Sequence, residues 1–245
     1  MKESLLALGS ALITILSVPS SSHAGNLVIP APSFEDSAYI RVITERSGKI
    51  VATLGLPDSS SFYRVRGIVT DQYRDLNTVY TERDNKLKSL KTQDPAPDKA
   101  TADSVKKNID QDVTAKVDQL HKSYLARLSA ALTPQQVDKV KDGMTYNVLE
   151  VTLHGYEEEL PNLTEEQKAR ILADLTEARE HAMDAESSEK KHAWFGKYKG
   201  RINNYLSSQG IDMKKAGEEW EKRRKAAAGA APAAAKTTTV PGGTQ

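Results

Sequence analysis

The residues best suited to chemistry are crowded into one run, Lys190-Lys-His-Ala-Trp-Phe-Gly-Lys-Tyr-Lys-Gly-Arg-Ile-Asn-Asn-Tyr205. Rings cover the apolar C–H faces of a sugar, amides read its hydroxyls, and cations hold a carboxylate. On that chemistry Trp194, Tyr198 and Tyr205 would stack on a ligand, Asn203 and Asn204 would bond hydroxyls, and Lys199 and Arg201 would hold an acidic group. The alternative is structural. Rings on a helical stripe are ordinarily core, and Gly196 and Gly200 would then let a neighbouring helix approach closely.

A second set consists of polar residues on or beside apolar stripes: Arg46, Gln72, Asn77, Arg83, Asp84 and Arg179. A buried arginine costs several kcal/mol without a partner, so Asp84 or a glutamate from another helix is expected to meet Arg83. These groups form either an internal ion-pair network or the floor of a pocket. A third set, Glu177, His181 and Asp184, has helical spacing for an acid–base group or a metal. With one histidine and no His-Glu-x-x-His pattern, the sequence gives no metal or cofactor site. It also lacks a phosphate-binding glycine loop, a nucleophile elbow and a dinucleotide fingerprint. Catalysis is therefore the less favoured reading.

Composition narrows the field further. The 245 residues carry 34 Lys+Arg against 33 Asp+Glu, a net charge of +1, which disfavours nucleic acid as a partner. The absence of Cys excludes disulfides, thiolate metal sites and cysteine nucleophiles. Aromatic residues make only 6 % of the chain, too few for an aromatic-rich β-sandwich.

Helical periodicity sets the elements that must position these groups. Tyr39, Val42, Ile43, Arg46, Ile50 and Leu54 recur at spacings of three and four. Gly55 and Pro57 stop that helix, and Asp58 caps the next. A long stripe follows, from Phe62 through Val65, Val69, Gln72, Leu76, Val79 and Arg83 to Leu90. Its counterpart runs Val105, Ile109, Val113, Val117, Leu120, Tyr124 and Leu128. Two helices of about 30 residues, each roughly 45 Å long, joined by a short Pro-containing turn, predict an antiparallel hairpin. Thr133-Pro-Gln-Gln136 and Thr164-Glu-Glu-Gln167 are capping boxes that start two further helices. Residues 137–151 fit a helix better than a strand. Another helix carries Trp194 to Tyr205, ends at Gly210, and is followed by a short charged helix from about Met213 to Lys225. The fold class is thus all-α, a helical bundle built around a long hairpin.

The first 24 residues have the form of a secretory signal peptide: Lys2, an apolar run Leu5–Val18, and small residues at Ser22 and Ala24. Cleavage near Ala24 predicts a secreted or periplasmic protein with no transmembrane segment in the mature chain. An extended lead at 25–36, one helical domain at 37–225 and a disordered Ala/Pro/Gly/Thr tail at 226–245 complete the expected organisation.

Two resemblances follow from particular residues. The Leu-Thr-x-x-Gln boxes at Leu132–Gln136 and Leu163–Gln167 resemble those of the small periplasmic stress chaperones of the Spy and CpxP type, all-helical dimers that cradle unfolded clients. A broader likeness covers roughly Ser37 to Asp212. It rests on Arg64-Val65, Asp71-Gln-Tyr73, Leu76-Asn77, Arg83-Asp84, Val140–Thr145, Leu163–Gln167, Ala178–Glu180, Ala182–Asp184 and Lys197–Leu206. There the chain resembles a secreted bacterial family of unknown function, described as sugar-binding by inference and common in polysaccharide-degrading bacteria. The resemblance implies an exported, non-catalytic protein that binds carbohydrate, with acidic sugars suggested by the local cations. The alternatives are a chaperone, as a homodimer with an exposed amphipathic face, and a polysaccharide hydrolase or lyase.

Overall fold

The computed structural model describes residues 34–230, and these form eight helices with no strand among them. The expected signal peptide, most of the expected lead and the expected tail from 231 onward lie outside the described residues. In chain order the helices are α1 (Phe34–Ala52), α2 (Ser59–Lys91), α3 (Lys99–Ser129), α4 (Pro134–Met144), α5 (Val148–Glu159), α6 (Glu165–Met183), α7 (Ser188–Ser208) and α8 (Met213–Ala230). None is long and apolar enough to cross a membrane.

The helix starts are the ones the chemistry demands. Asp58 accepts from the Ser61 amide at the head of α2, and Thr133 and Thr164 close full capping boxes with Gln136 and Gln167. Each such cap satisfies amides that no earlier turn can reach, typically for about 1 kcal/mol. Asp98 caps α3 in the same way by accepting from the Thr101 amide, and Ser187 caps α7.

Two apolar cores result. The first gathers Ile43, Val51, Val65, Val69, Tyr124, Leu128, Val140 and Met144 from α1 to α4. Here α4 lies so close to α1 that a Cβ on Gly143 would stand 3.0 Å from Ile50 Cγ1. The second gathers Tyr156, Ile171, Leu175, Ala178, Phe195, Ile202 and Leu206 from α5, α6 and α7. Helix α6 belongs to both, since its last residue, Met183, is buried in the first core.

The hairpin forms as expected, and ion pairs at Arg127–Asp71, Lys116–Glu82 and Lys86–Asp112 fix the antiparallel register of α2 and α3. Its two ends differ. Near the base Val65, Val69, Leu76, Tyr124 and Leu128 are buried, whereas Leu87, Leu90, Val105 and Val113 are only half-buried because no third helix covers them.

Three boundaries correct the sequence reading. The stretch 137–151 is not one helix: α4 stops at Met144, and Tyr146 (φ 59°) and Asn147 (φ 56°) turn left-handed before α5 starts. Asparagine tolerates that region, but tyrosine is rare there, and the Tyr146 ring is stacked on His192 of α7 at 5.7 Å and 12°. Helix α1 begins at Phe34, inside the expected lead, and α8 runs to Ala230, past the expected start of the tail.

Candidate functional site

Where the two cores meet, the contacts change from apolar to polar. Asp184, the C-cap residue of α6, is only 5 % exposed. Its Oδ1 accepts from Gln72 Nε2 at 2.9 Å, its Oδ2 lies 2.6 Å from His121 Nδ1, and its carbonyl accepts from the Tyr80 hydroxyl at 2.8 Å. Three side chains of the hairpin therefore converge on one residue at the end of α6. Further along α6, Lys141 Nζ donates to both oxygens of Glu180 at 2.9 Å, and Arg179 bridges Asp138 and Asp142 of α4 at 2.7 Å each. On the α7 side, Lys191 Nζ donates to the Met183 carbonyl and to the Ala182 carbonyl, which also accepts from the Ala185 amide, at the end of α6 where carbonyls run out of helical donors.

Two clefts open along this seam. The first, of about 580 Å³, has Tyr80, Arg83, Val117, His121, Glu180, Asp184, Lys190 and Trp194 among its walls. The second, of about 500 Å³, is bounded by Tyr39, Arg46, Tyr73, Asn77, Tyr146 and Ser188, with Lys191 behind them. Tyr80, Arg83, Ala185, Glu186 and Lys190 line both, so the clefts share a wall. That wall is braced by the ion pair of Arg83 with Glu186 and the contact of Arg83 with Asp84. Each cleft is within the size range of a small-ligand site. Each cleft also has an aromatic ring that the other lacks, Trp194 in the first and Tyr146 in the second. Trp194 lies against His181 with ring centres 4.4 Å apart and planes 17° apart, and Tyr146 is 43 % exposed beside His192.

The electrostatics follow from this pairing. The Asp184 hydrogen bond raises the His121 pKa above 6.5 against the opposing effect of its partial burial, and the charges of Asp184 and Glu180 add to the rise. Burial pushes Tyr80 up to about 12, with Asp184 and Glu186 contributing. Burial pushes Lys191 down to about 8. Glu180, Asp184 and Glu186 each have a cationic or imidazole partner, which leaves the exposed Asp118 and Lys190 as the cleft's remaining charges. The first cleft is close to neutral, rich in acceptors and flanked by a flat ring.

The residues singled out from the sequence are distributed over α7 rather than gathered. Trp194 reaches the first cleft. Tyr198 is a core residue, 5 % exposed, and Tyr205 packs half-buried against the same core with Arg170 over its ring. Arg201 is occupied by Asp174 at 3.2 Å and Glu177 at 3.0 Å. Lys199 and Asn203 line a separate groove beside α5 and α8, where Asn203 Oδ1 accepts from the Tyr156 hydroxyl at 2.7 Å. Asn204 is exposed. The helical pitch separates them: residues three to four apart share a face, while 199, 201 and 203 do not face one direction.

Of the expected polar network, Gln72 and Arg179 are buried, and Arg83 meets both Asp84 and a glutamate from beyond its own helix. Arg46, Asn77 and Asp84 are exposed; Arg46 stands over the Tyr73 ring at 5.7 Å, and both Asn77 and Asp84 edge the second cleft. Glu177, His181 and Asp184 do not form a ligand set. Asp184 turns inward, His181 stacks on Trp194, and Glu177 pairs with Arg201. Among the described residues no cluster of His, Asp and Glu has the arrangement of a metal site.

His121, Tyr80 and Glu186 escaped the sequence reading. A signal for His121 was present, because Val117, His121, Tyr124 and Leu128 follow helical spacing and place an imidazole on the inward stripe of α3. Nothing local links it to Asp184, which is 63 positions away.

No curated protein matches this sequence. A family model does match, over residues 40–226, which takes in all eight helices wholly or in part and every residue named at the seam except Tyr39. The chain belongs to the family described as protein of unknown function (DUF3826).

Proposed function

We propose that the seam between the two cores is a carbohydrate-binding groove in which a short oligosaccharide lies across both clefts. The observation that carries this reading is the shared wall. Two clefts lined in common by Tyr80, Arg83, Glu186 and Lys190 each have an aromatic ring of their own, Trp194 in the first and Tyr146 in the second. Flat rings cover the C–H faces of sugars, while carboxylates, Asn77, Ser188 and Lys190 supply acceptors and donors for hydroxyls.

The charge pattern favours neutral sugars over acidic ones. Of the two cations expected to hold a carboxylate, Arg201 is already paired and Lys199 lines the separate groove beside α5 and α8; of their neighbours, Lys191 caps α6, and Lys197 lies over Trp194 at 4.8 Å. Export to the periplasm or the exterior, expected from the N-terminal residues, belongs to the same proposal, since polysaccharide fragments are met there.

Thermal melting against neutral and acidic oligosaccharides tests the reading. A neutral oligosaccharide at a hundred times its dissociation constant should add about 2.7 kcal/mol, a rise of roughly 5 °C or more for a chain of this size. Trp194→Ala should abolish the rise. A flat response across the panel would overturn the proposal.

A further inference from the structure

One group in the first cleft is set up for more than binding. The His121 imidazole has its Nδ1 fixed by Asp184, and that carboxylate is itself fixed by Gln72 on its other oxygen. Asp184 is buried and sits on a backbone that Tyr80 holds through the carbonyl. The ring can neither swing nor exchange its partner without breaking these contacts. Its second nitrogen is different. Among the described residues Nε2 has no hydrogen-bond partner; Glu180 Oε2 lies 3.6 Å from it, and the ring lines the open cleft. A purely structural ion pair would gain by enclosing both nitrogens. An orienting carboxylate on one nitrogen and an accessible second nitrogen is how an imidazole is arranged for proton transfer.

We propose that the cleft hydrolyses a glycosidic bond of the oligosaccharide it holds, with His121 as the acid–base residue and Asp184 as its positioning residue. The inference rests on the carbohydrate reading of the same site. In the forward step the His121 Nε2–H proton passes to the glycosidic oxygen as the bond from that oxygen to the anomeric carbon breaks. Water supplies the new oxygen on the anomeric carbon, and its proton passes to Glu186, which Arg83 holds in the shared wall. The free Glu186 proton then returns through solvent to His121. The products are two shorter sugars, one bearing a new reducing end, and no oxidant or further reactant is consumed.

Charge on the imidazolium is supported from several directions. Asp184 and Glu180 of α6 face it and raise its pKa, while Lys141 of α4 opposes them. Tyr80 and Arg83 of α2, Asp118 of α3, His181 of α6, Glu186 and Lys190 are the other titratable and charged groups that line this cleft. The acid form therefore persists above the usual imidazole range, and the rate should fall as pH rises through that raised value.

The test measures binding and release of reducing ends on the same neutral oligosaccharides with the full chain. Wild-type protein should bind and turn over. His121→Gln keeps a side-chain amide facing Asp184, and it should retain affinity within about twofold while losing at least about a hundredfold in rate. Asp184→Asn should move the falling limb of the pH profile to lower pH, a change that a merely structural role would not produce. Glu186→Gln should lower the rate by a larger factor than it weakens binding, since the same carboxylate lines the groove. Binding without turnover by the wild type, or full turnover by His121→Gln, would overturn the catalytic assignment and leave the binding proposal standing. No binding by the wild type would overturn both.

Discussion

The two cores and the seam between them are built on opposite plans. Inside the cores the side chains are aliphatic or aromatic, and Val65, Val69, Leu128, Val140, Ile171, Leu175, Ile202 and Leu206 are all essentially inaccessible. At the seam nearly the same depth of burial is given to Gln72, Arg179, Asp184 and Lys191. Apolar burial stabilises without specifying direction, whereas a buried charge costs several kcal/mol and returns it only when its partners are correctly placed. A seam of this kind contributes little net stability for the number of groups it orders. It fixes where α6 ends relative to the hairpin, and both clefts open at that junction. The difference separates what holds the molecule together from what shapes its groove.

The largest effect should come from the cores. Leu175→Ala removes a fully buried side chain from the second core and should cost about 3 kcal/mol, within the usual span for such truncations, read as a lower denaturation midpoint. Because α6 belongs to both cores, the loss should appear in one cooperative transition. Two separate transitions would show that the cores fold independently and would break the comparison.

Next comes the seam itself. Arg179 is 6 % exposed and bridges Asp138 and Asp142, so Arg179→Ala should cost about 2 kcal/mol, below the full value for a buried pair because Asp138 is largely solvated. Substitution of Arg179 by methionine should recover part of that loss while leaving the polar seam misaligned. Melting curves of the two variants distinguish packing from charge.

The third contrast is in pH dependence, where two seam groups have opposite signs. His121 has a folded pKa above 6.5, so its stabilisation is fully present below 6.5 and is lost as pH rises through the folded value. Lys191 has a folded pKa of about 8 against 10.5, so burying its charge costs stability below 8, and that cost disappears between 8 and 10.5. Stability should dip between the two windows. His121→Gln should remove the falling arm, and Lys191→Met the rising arm; a wild-type profile that is flat from 6 to about 10 would contradict both assignments.

Much of the fold was legible because its determinants are local. Thr133 and Thr164 with their glutamines, Asp58 before α2, and the stripe from Val65 to Val79 each announce themselves within a few residues. The break at Tyr146 and Asn147 was not, since nothing nearby shows that the Tyr146 ring will find His192. The groove was legible only at Trp194 and, among the polar residues, at Arg83, whose partner Glu186 lies between α6 and α7 rather than on another helix. Its centre joins His121 to Asp184 and Gln72 to Asp184, pairs 63 and 112 positions apart. Such pairs are set by how α6 packs on the hairpin. The basic run from Lys190 to Arg201 misled for the same reason: helical geometry turns its cations to different faces, and α6 neutralises Arg201.

The most direct measurement of the central claim compares two tryptophan-to-alanine variants for oligosaccharide affinity by titration calorimetry. Trp194 lines the seam cleft, and Trp220 lines the groove that holds Lys199 and Asn203. Loss of a stacking ring at the true site should weaken binding at least tenfold, about 1.4 kcal/mol. The seam account predicts that loss for Trp194→Ala and wild-type affinity for Trp220→Ala. The reverse pattern would place the ligand beside α8 and contradict it.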